Sequence, residues 1–302
     1  MQVFNKLIKN FIYKPKYFTA KCMICENKNA LLVEQNCYPD FDTNKIPNYL
    51  KDKFLKKKNG ICMNCGTFQD YNLLNINQLR KLNKISKDKL TTEQFFLENN
   101  KSEEYIRNFN NVFFKNRLKK WDSFFNKLKP KIENTLILRY WFGSSAKYLK
   151  NKFDCNIYGI ELSEACREVL KKKKLLKDIR GEINGEFIYE KLDTKFDLIC
   201  TFHIIPHSIN VRKTIEDIRK LLSKKGLVIF SSEIERKPTN PFHNLHLSEV
   251  QLTNILREYF PFVGRIDRCQ TNYQPQTNPY TLKNDIPDIF ATNYDPELTI
   301  SK

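Results

Sequence analysis

The sequence predicts an α/β fold: a doubly wound, mostly parallel sheet preceded by a small cysteine-built lobe and a helical linker. Three observations carry this. Two Cys-x2-Cys pairs stand 36 residues apart near the front of the chain. Apolar side chains then recur at intervals of three and four from Tyr105 to Leu128, a helix period. After Pro130, short apolar runs alternate with amphipathic segments at the spacing of β-α-β units. A chain of 302 residues is about twice a typical domain, so more than one unit is expected. The boundaries read as a lobe over 1–75, a linker over 76–130, the sheet domain over 131–268 and a tail over 269–302.

The first element is the pair of knuckles, Cys22-Met23-Ile24-Cys25 and Cys62-Met63-Asn64-Cys65. A Cys-x2-Cys turn sets two thiolates at the separation a tetrahedral zinc ion needs, and two turns close a four-thiolate site. Gly66, directly after the second pair, suits the left-handed backbone of such turns. With four protein ligands no coordination position stays open, so the expected zinc is structural. Cys37 lies between the knuckles as an alternative ligand of poorer spacing. Chance cysteines in packing or redox roles are the competing reading.

Residues 67–90 are polar and rich in Asn and Lys, and read as the start of a helical linker. A first helix is expected from Thr92, with Phe95, Phe96 and Leu97 on its apolar face. A second runs from Tyr105 through Val112, Leu118, Trp121 and Phe125 to Leu128, where Pro130 ends it.

The strands follow. Thr135–Leu138 is the first, then a loop with Gly143 and a helix over Ala146–Lys150. Asn156–Ile160 is the second, ending at Glu161, with Ser163 capping a helix that runs into Lys171–Lys174. Phe187–Tyr189 is expected as the third and Phe196–Phe202 as the fourth. A helix over Ile215–Leu222 stops before Gly226, and Leu227–Phe230 is the fifth strand. Ser248 opens a last capped helix through Leu256. The tail from Cys269 reads as a segment that wraps the surface or covers the mouth of a site.

The chain carries 52 Lys and Arg against 34 Asp and Glu, a net charge of +18. Residues 1–130 hold 25 basic and 12 acidic side chains, so the front half is the more positive. Such a surface attracts polyanions. Yet 40 of the 52 cations are Lys, and the Arg forks and aromatic–basic interleaving of nucleic-acid binders are sparse. A nucleic-acid partner is therefore considered but not favoured. No apolar run reaches the length of a spanning helix, and the first 25 residues lack a compact apolar block. Nine cysteines without a secretory leader fit a reducing, cytoplasmic compartment.

Taken in order, Phe196-Asp197-Leu198-Ile199, His203-Ile204-Ile205-Pro206-His207, Ile218–Leu222 and Gly226–Ile229 resemble the fourth strand, next helix and fifth strand of class I S-adenosylmethionine-dependent methyltransferases. Tyr158-Gly159-Ile160-Glu161 is similar to the end of that family's second strand. The resemblance covers about residues 105–265 and implies a Rossmann-like fold. The two knuckles ahead of it match a subset with a zinc-binding lobe, which includes enzymes that methylate nucleotide-linked deoxysugars. The resemblance implies S-adenosylmethionine as cofactor and a sugar, sugar nucleotide or other small hydroxylated acceptor as partner.

It also assigns roles. Ligands of such folds lie across the carboxyl ends of the strands. Glu161 is placed to accept the cofactor's ribose hydroxyls; its competing role is to cap the next helix. Gly143 falls at the last glycine of the family's first loop, where backbone must approach the ligand. Glu186 is assigned to the adenine edge. Neutral imidazole can take a proton from a hydroxyl near physiological pH, which makes His207 and then His246 the candidate catalytic residues. His203 and His243 rank below them, and helix capping is the competing role for all four. The sequence departs from the family in the first loop: Ile137 stands at the usual acidic position, and Arg139 and Trp141 at the first two glycines. That departure keeps a second reading in play, a catalytically degenerate scaffold or RNA-associated binding protein. Base-methylating and phosphate-loop signatures are absent from the sequence.

Overall fold

Two sheets organise the residues that the computed structural model describes, which are 17–32, 59–70, 115–140, 143–161, 174–180, 194–232, 243–267 and 288–296. In chain order the first elements are β1 (Tyr17–Thr19), β2 (Asn29–Leu32), β3 (Asn59–Cys62), β4 (Phe68–Asp70), α1 (Lys115–Leu128) and β5 (Asn134–Leu138). Next come α2 (Ser144–Phe153), β6 (Asn156–Ile160), β7 (Asp178–Arg180), β8 (Phe196–Phe202) and α3 (Val211–Leu221). The last are β9 (Leu222–Ser231), β10 (Leu245–His246), α4 (Glu249–Arg257), β11 (Phe262–Arg265) and β12 (Asp288–Thr292).

The larger sheet has seven strands in the order β11-β12-β9-β8-β5-β6-β7. Strands β7, β6, β5, β8 and β9 run parallel, and β12 enters antiparallel between β9 and β11. The chain leaves β5 to one side for β6 and β7, then crosses back to place β8 on the other. This reversal opens a crevice beyond the carboxyl ends of β5 and β8, where doubly wound folds bind ligands. The mostly parallel α/β sheet expected from the sequence is thus present.

Strand alternation divides the core. Leu136 and Leu138 point to one face and Ile137 to the other. On the Ile137 side, α1 contributes Trp121, Phe124 and Phe125, three aromatics at helical spacing that are at most 2% exposed. Lys129 then takes φ 47 and Pro130 follows, so the helix stops where its sequence says it should. On the opposite side α3 presents Val211, Ile215 and Ile218, one turn apart, and α4 adds Leu252, Ile255 and Leu256. Asn210 caps α3 by accepting from Lys213 N, which starts that helix earlier than its apolar stripe indicated. Ser248 and Gln251 form the capping box of α4.

The smaller sheet is antiparallel, in the order β1-β2-β3-β4-β10. Its last strand comes from far along the chain: Leu245 pairs with Gln69 and His246 with Phe68. Cys22, Ile24 and Cys62 from this lobe belong to the same apolar cluster as α3 and α4.

Two expectations are corrected, and one strand is found that the sequence did not indicate. Phe68–Asp70 is a strand rather than the start of a helical linker, because Gly66 at φ 68 turns the chain back to pair with β3. The strand beside β6 is Asp178–Arg180, a three-residue edge strand too short and too polar to show an apolar run. Phe187–Tyr189 lies outside the described residues. Asp288–Thr292, inside the stretch read as a surface tail, is a buried strand of the main sheet. The helices expected over 92–114, the helix after Ser163, Cys37 and Glu186 also lie outside the described residues.

Candidate functional site

The four knuckle cysteines converge. Their Sγ atoms all lie within 4.8 Å of one another, with Cys22–Cys65 at 3.7 Å and Cys25–Cys62 at 3.5 Å. A tetrahedral ion with Zn–S bonds of about 2.3 Å needs sulfurs about 3.8 Å apart, so the donor set fits. Each turn is closed by backbone: Glu26 N donates to Cys22 O at 3.1 Å and Gly66 N to Cys62 O at 2.9 Å. Ile24 N also donates to Cys22 Sγ at 3.4 Å, the kind of contact that steadies a thiolate. The hydrogen bond it shares with Cys65, together with burial, pushes the Cys22 thiol well above its ordinary range. The same bond and one from the Thr67 hydroxyl pull Cys65 down to about 4. A thiol paired with a thiolate is the arrangement a cation replaces on binding.

This centre is tied to the main fold. Arg212 of α3 donates to Ile24 O through Nε at 2.9 Å and Nη2 at 2.6 Å, while its fork also pairs with Glu258. Gln251 Nε2 donates to Cys65 O at 2.8 Å. Met23 N donates to the buried Gln69 Oε1 at 2.9 Å, which links the first knuckle to β4. Beyond β4, Asp70 N donates to Asn244 O at 2.9 Å, and Asn244 N to Pro206 O at 2.7 Å. Asn244 Nδ2 then reaches His207 O at 3.2 Å. A continuous run of hydrogen bonds therefore connects the cysteine centre to the turn after β8.

That turn borders the crevice. β5 ends at Leu138, and Arg139 follows in the left-handed region with φ 62. Its N–H donates to Ile160 O at 2.7 Å, continuing the β5–β6 ladder. Tyr140 is fully buried and folds over Gly159, where an added Cβ would stand 2.4 Å from the ring. Gly143, at φ 84, brings its N–H onto Tyr140 O at 3.0 Å and opens α2. Glu161, only 4% exposed, sits immediately after β6 on the same edge of the sheet. After β8, His203 takes φ 52 with its N–H on Ser231 O at 2.8 Å, and Ile205–His207 form one 3-10 turn.

The histidines, scattered in sequence, gather here. His207 and His243 rings meet edge to face at 4.7 Å, and His243 and His246 centroids lie 5.9 Å apart. His246 in turn packs its ring against Phe68 of the cysteine lobe at 5.3 Å. Among the described residues the cysteines are the one group arranged to hold a metal, so the histidines form a polar wall rather than a metal triad. Arg139 Nη1 crosses from the β5 loop to the β8 loop, donating to His203 O at 3.2 Å and meeting His207 Nε2 at 2.7 Å.

Gly143, Glu161 and His207 therefore lie in loops at the same edge of the sheet, with His246 reached through His243. Ile137, at the position that is acidic in the family, is a core residue with no exposure. Sequence reasoning missed the contact of Arg139 with His207, the Tyr140–Gly159 packing and the role of Asn244. Of these, Asn244 alone carried a local signal, its place inside His243-x2-His246.

Residues 142–230 match the sequence profile of a methyltransferase domain. No curated protein sequence matches the chain. An S-adenosylmethionine-dependent methyltransferase from Clostridium acetobutylicum is similar in structure, with a TM-score of 0.46 and 13% identity over 64% of this chain and 99% of that one. A sugar N-methyltransferase from Streptoalloteichus sp. gives 0.33 at 17% identity over 38% of this chain and 46% of its own. An amino pentose methyltransferase from Micromonospora echinaspora gives 0.32 at 15% over 38% of this chain and 50% of its own. This chain thus spans about half the length of the last two. The profile match runs from α2 through β8 and α3 into β9, and the strand order of the seven-stranded sheet is Rossmann-like.

Proposed function

We propose that the protein is an S-adenosylmethionine-dependent methyltransferase acting on a sugar, sugar nucleotide or other small hydroxylated acceptor, with a structural zinc in its four-cysteine centre. The observation that carries the reading is Glu161, a buried carboxylate at the carboxyl end of β6, one strand from the left-handed turn that ends at Gly143. A carboxylate there accepts hydrogen bonds from a pair of hydroxyls, and a residue without a side chain at 143 lets backbone approach a ligand. The chemistry of these residues fits the cofactor, and Glu186 is assigned to its adenine edge by resemblance.

The cofactor supplies an electrophilic methyl group for direct displacement. The chain's own residues bind, orient and manage protons. Positioning donor and acceptor is the main source of rate in such a transfer. His207, on the turn after β8, is the residue assigned to the acceptor's hydroxyl, with His246 behind it through His243. No described helix is long and apolar enough to cross a membrane. A cytoplasmic location is proposed from the cysteine content. The RNA-binding alternative is not favoured.

Titration calorimetry with S-adenosylhomocysteine tests the reading. Micromolar binding by the zinc-loaded protein, lost in Glu161→Ala, is the expected result. A folded protein that ignores millimolar ligand would overturn it.

A further inference from the structure

We infer that Arg139 is a positioning residue that fixes the tautomer of His207, holding it with the proton on Nδ1 and Nε2 unprotonated as the acceptor of the Arg139 hydrogen bond. The inference rests on the reading of this crevice as the reaction site, and deepens it. Arg139 Nη1 stands 2.7 Å from His207 Nε2. A guanidinium has five N–H donors, no acceptor, and does not deprotonate in proteins. A hydrogen bond between these two atoms therefore has one possible direction. Nε2 must accept, and a neutral imidazole that accepts at Nε2 carries its proton at Nδ1. The second hydrogen on Nη1 serves His203 O at 3.2 Å, which aims the guanidinium plane between the two loops.

The backbone is set to make this contact. Arg139 and His203, each the residue after its strand, both adopt left-handed φ values of 62 and 52. For a residue with a Cβ that conformation is unfavourable, and it persists where neighbours impose it. Here ladder hydrogen bonds impose it, from Arg139 N to Ile160 O and from His203 N to Ser231 O. His207 is steadied on its other side by Asn244, which donates to His207 O and Pro206 O, and by the edge-to-face ring of His243. Ring orientation and proton position are thereby both specified.

The chemical consequence concerns the acceptor. With its Nε2 lone pair engaged by Arg139, His207 carries its hydrogen at Nδ1 and is a donor, not a base, at that atom. It becomes a base at Nε2 only when the guanidinium leaves. An acceptor oriented by His207 in this state must present a hydroxyl, carbonyl or carboxylate oxygen as acceptor of a hydrogen bond from Nδ1.

Long-range proton–nitrogen NMR on the zinc-loaded protein, with histidines nitrogen-15 labelled and His207 assigned by a His207→Gln variant, reads the tautomer without any ligand. The expected wild-type signature is an unprotonated Nε2 and a protonated Nδ1. Arg139→Met should move the proton to Nε2 or mix the two forms, while Arg139→Lys, which keeps a donor, should restore at least part of the wild-type pattern. A wild-type Nε2 that carries the proton would overturn the inference, as would a pattern unchanged in Arg139→Met. A wild-type Nε2 that carries the proton overturns the inference even if Arg139→Met folds poorly, and Arg139→Lys with a wild-type pattern then serves as the second test. Cofactor-product binding, measured separately, fails or holds independently of this result.

Discussion

The Gln251 side chain joins the cap of α4 to the second cysteine turn: its Nε2 donates to Cys65 O at 2.8 Å while its Oε1 accepts from Ser248 N at 2.9 Å. One residue therefore completes a capping box and orients a residue of the four-cysteine centre. Gln251→Ala removes both, at about 1 kcal/mol for the cap and about 1 kcal/mol for the amide bond. A fall of about 2–8 °C in melting temperature is expected, with faster loss of metal to a chelator. Gln251→Glu separates the two roles, since it keeps the acceptor for Ser248 and loses the donor to Cys65. It should hold more of the melting temperature yet still release metal faster. Equal metal release by wild type and both variants would contradict this coupling.

Removing the proposed zinc should loosen more than the knuckles. The cysteine lobe takes its last strand from Leu245–His246, and Asn244 beside it grips the turn that holds His207. Chelation, or Cys65→Ser, is expected to raise amide exchange in β3, β4 and β10 and at Ile205 and His207. The parallel strands β5 and β8 should stay protected, because their fully buried side chains pack against helices of the main fold. Exchange that rises only at residues 22–25 and 62–65 would show the lobe to be an independent module.

How much of this was legible in the sequence follows from the range of each signal. The knuckles, β5, β6, β8 and the capped start of α4 are local patterns, and they appear where the residues placed them. Strand β12 was not read because Asp288-Ile289-Phe290-Ala291-Thr292 follows an Asn- and Pro-rich stretch, and its burial depends on slotting between β9 and β11. The gathering of His207, His243 and His246 was not read either. It depends on β10 joining a sheet formed more than 170 residues earlier in the chain, a pairing no spacing rule encodes. Arg139 stood out as a departure from a glycine-rich loop. Only the fold shows that this departure is a bridge between two strand ends.

Gly159 offers a sharper test of the first loop. A Cβ there would lie 2.4 Å from two atoms of the Tyr140 ring and 2.9 Å from Leu176 Cδ1. Gly159→Ala is expected to destabilise by about 1–3 kcal/mol through overpacking. Tyr140→Leu removes the ring and should restore part of that loss in the double variant, giving a coupling energy of about 0.5–3 kcal/mol. Additive effects in urea unfolding would show that the ring does not rest on this glycine. Because Tyr140 lies between Arg139 and Gly143, the same substitution should weaken cofactor-product binding.

Asp288 sets the last expectation. Its carboxylate is buried beneath α1, where Trp121 Nε1 donates to Oδ2 at 2.8 Å and Arg117 Nε stands 3.3 Å from the same oxygen. Burial raises the Asp288 carboxyl above the ordinary carboxylate range, and Arg117, Ser231 and Trp121 work against that rise. A folded-state value above the unfolded one means the native protein holds this proton more tightly. Its contribution to stability is therefore complete below the ordinary carboxylate range and declines as pH rises through the raised value. Arg117→Met removes the largest opposing charge, so the decline should extend to higher pH. At about pH 5 the substitution should cost less than at about pH 8, where a buried ion left without its partner typically costs about 3–5 kcal/mol. Adding Asp288→Asn to Arg117→Met should recover much of that loss at the higher pH, since the uncompensated charge is gone. Urea midpoints measured at both pH values check the sign. A cost for Arg117→Met that is the same at both pH values would contradict the raised value and mean that Asp288 does not change protonation between them.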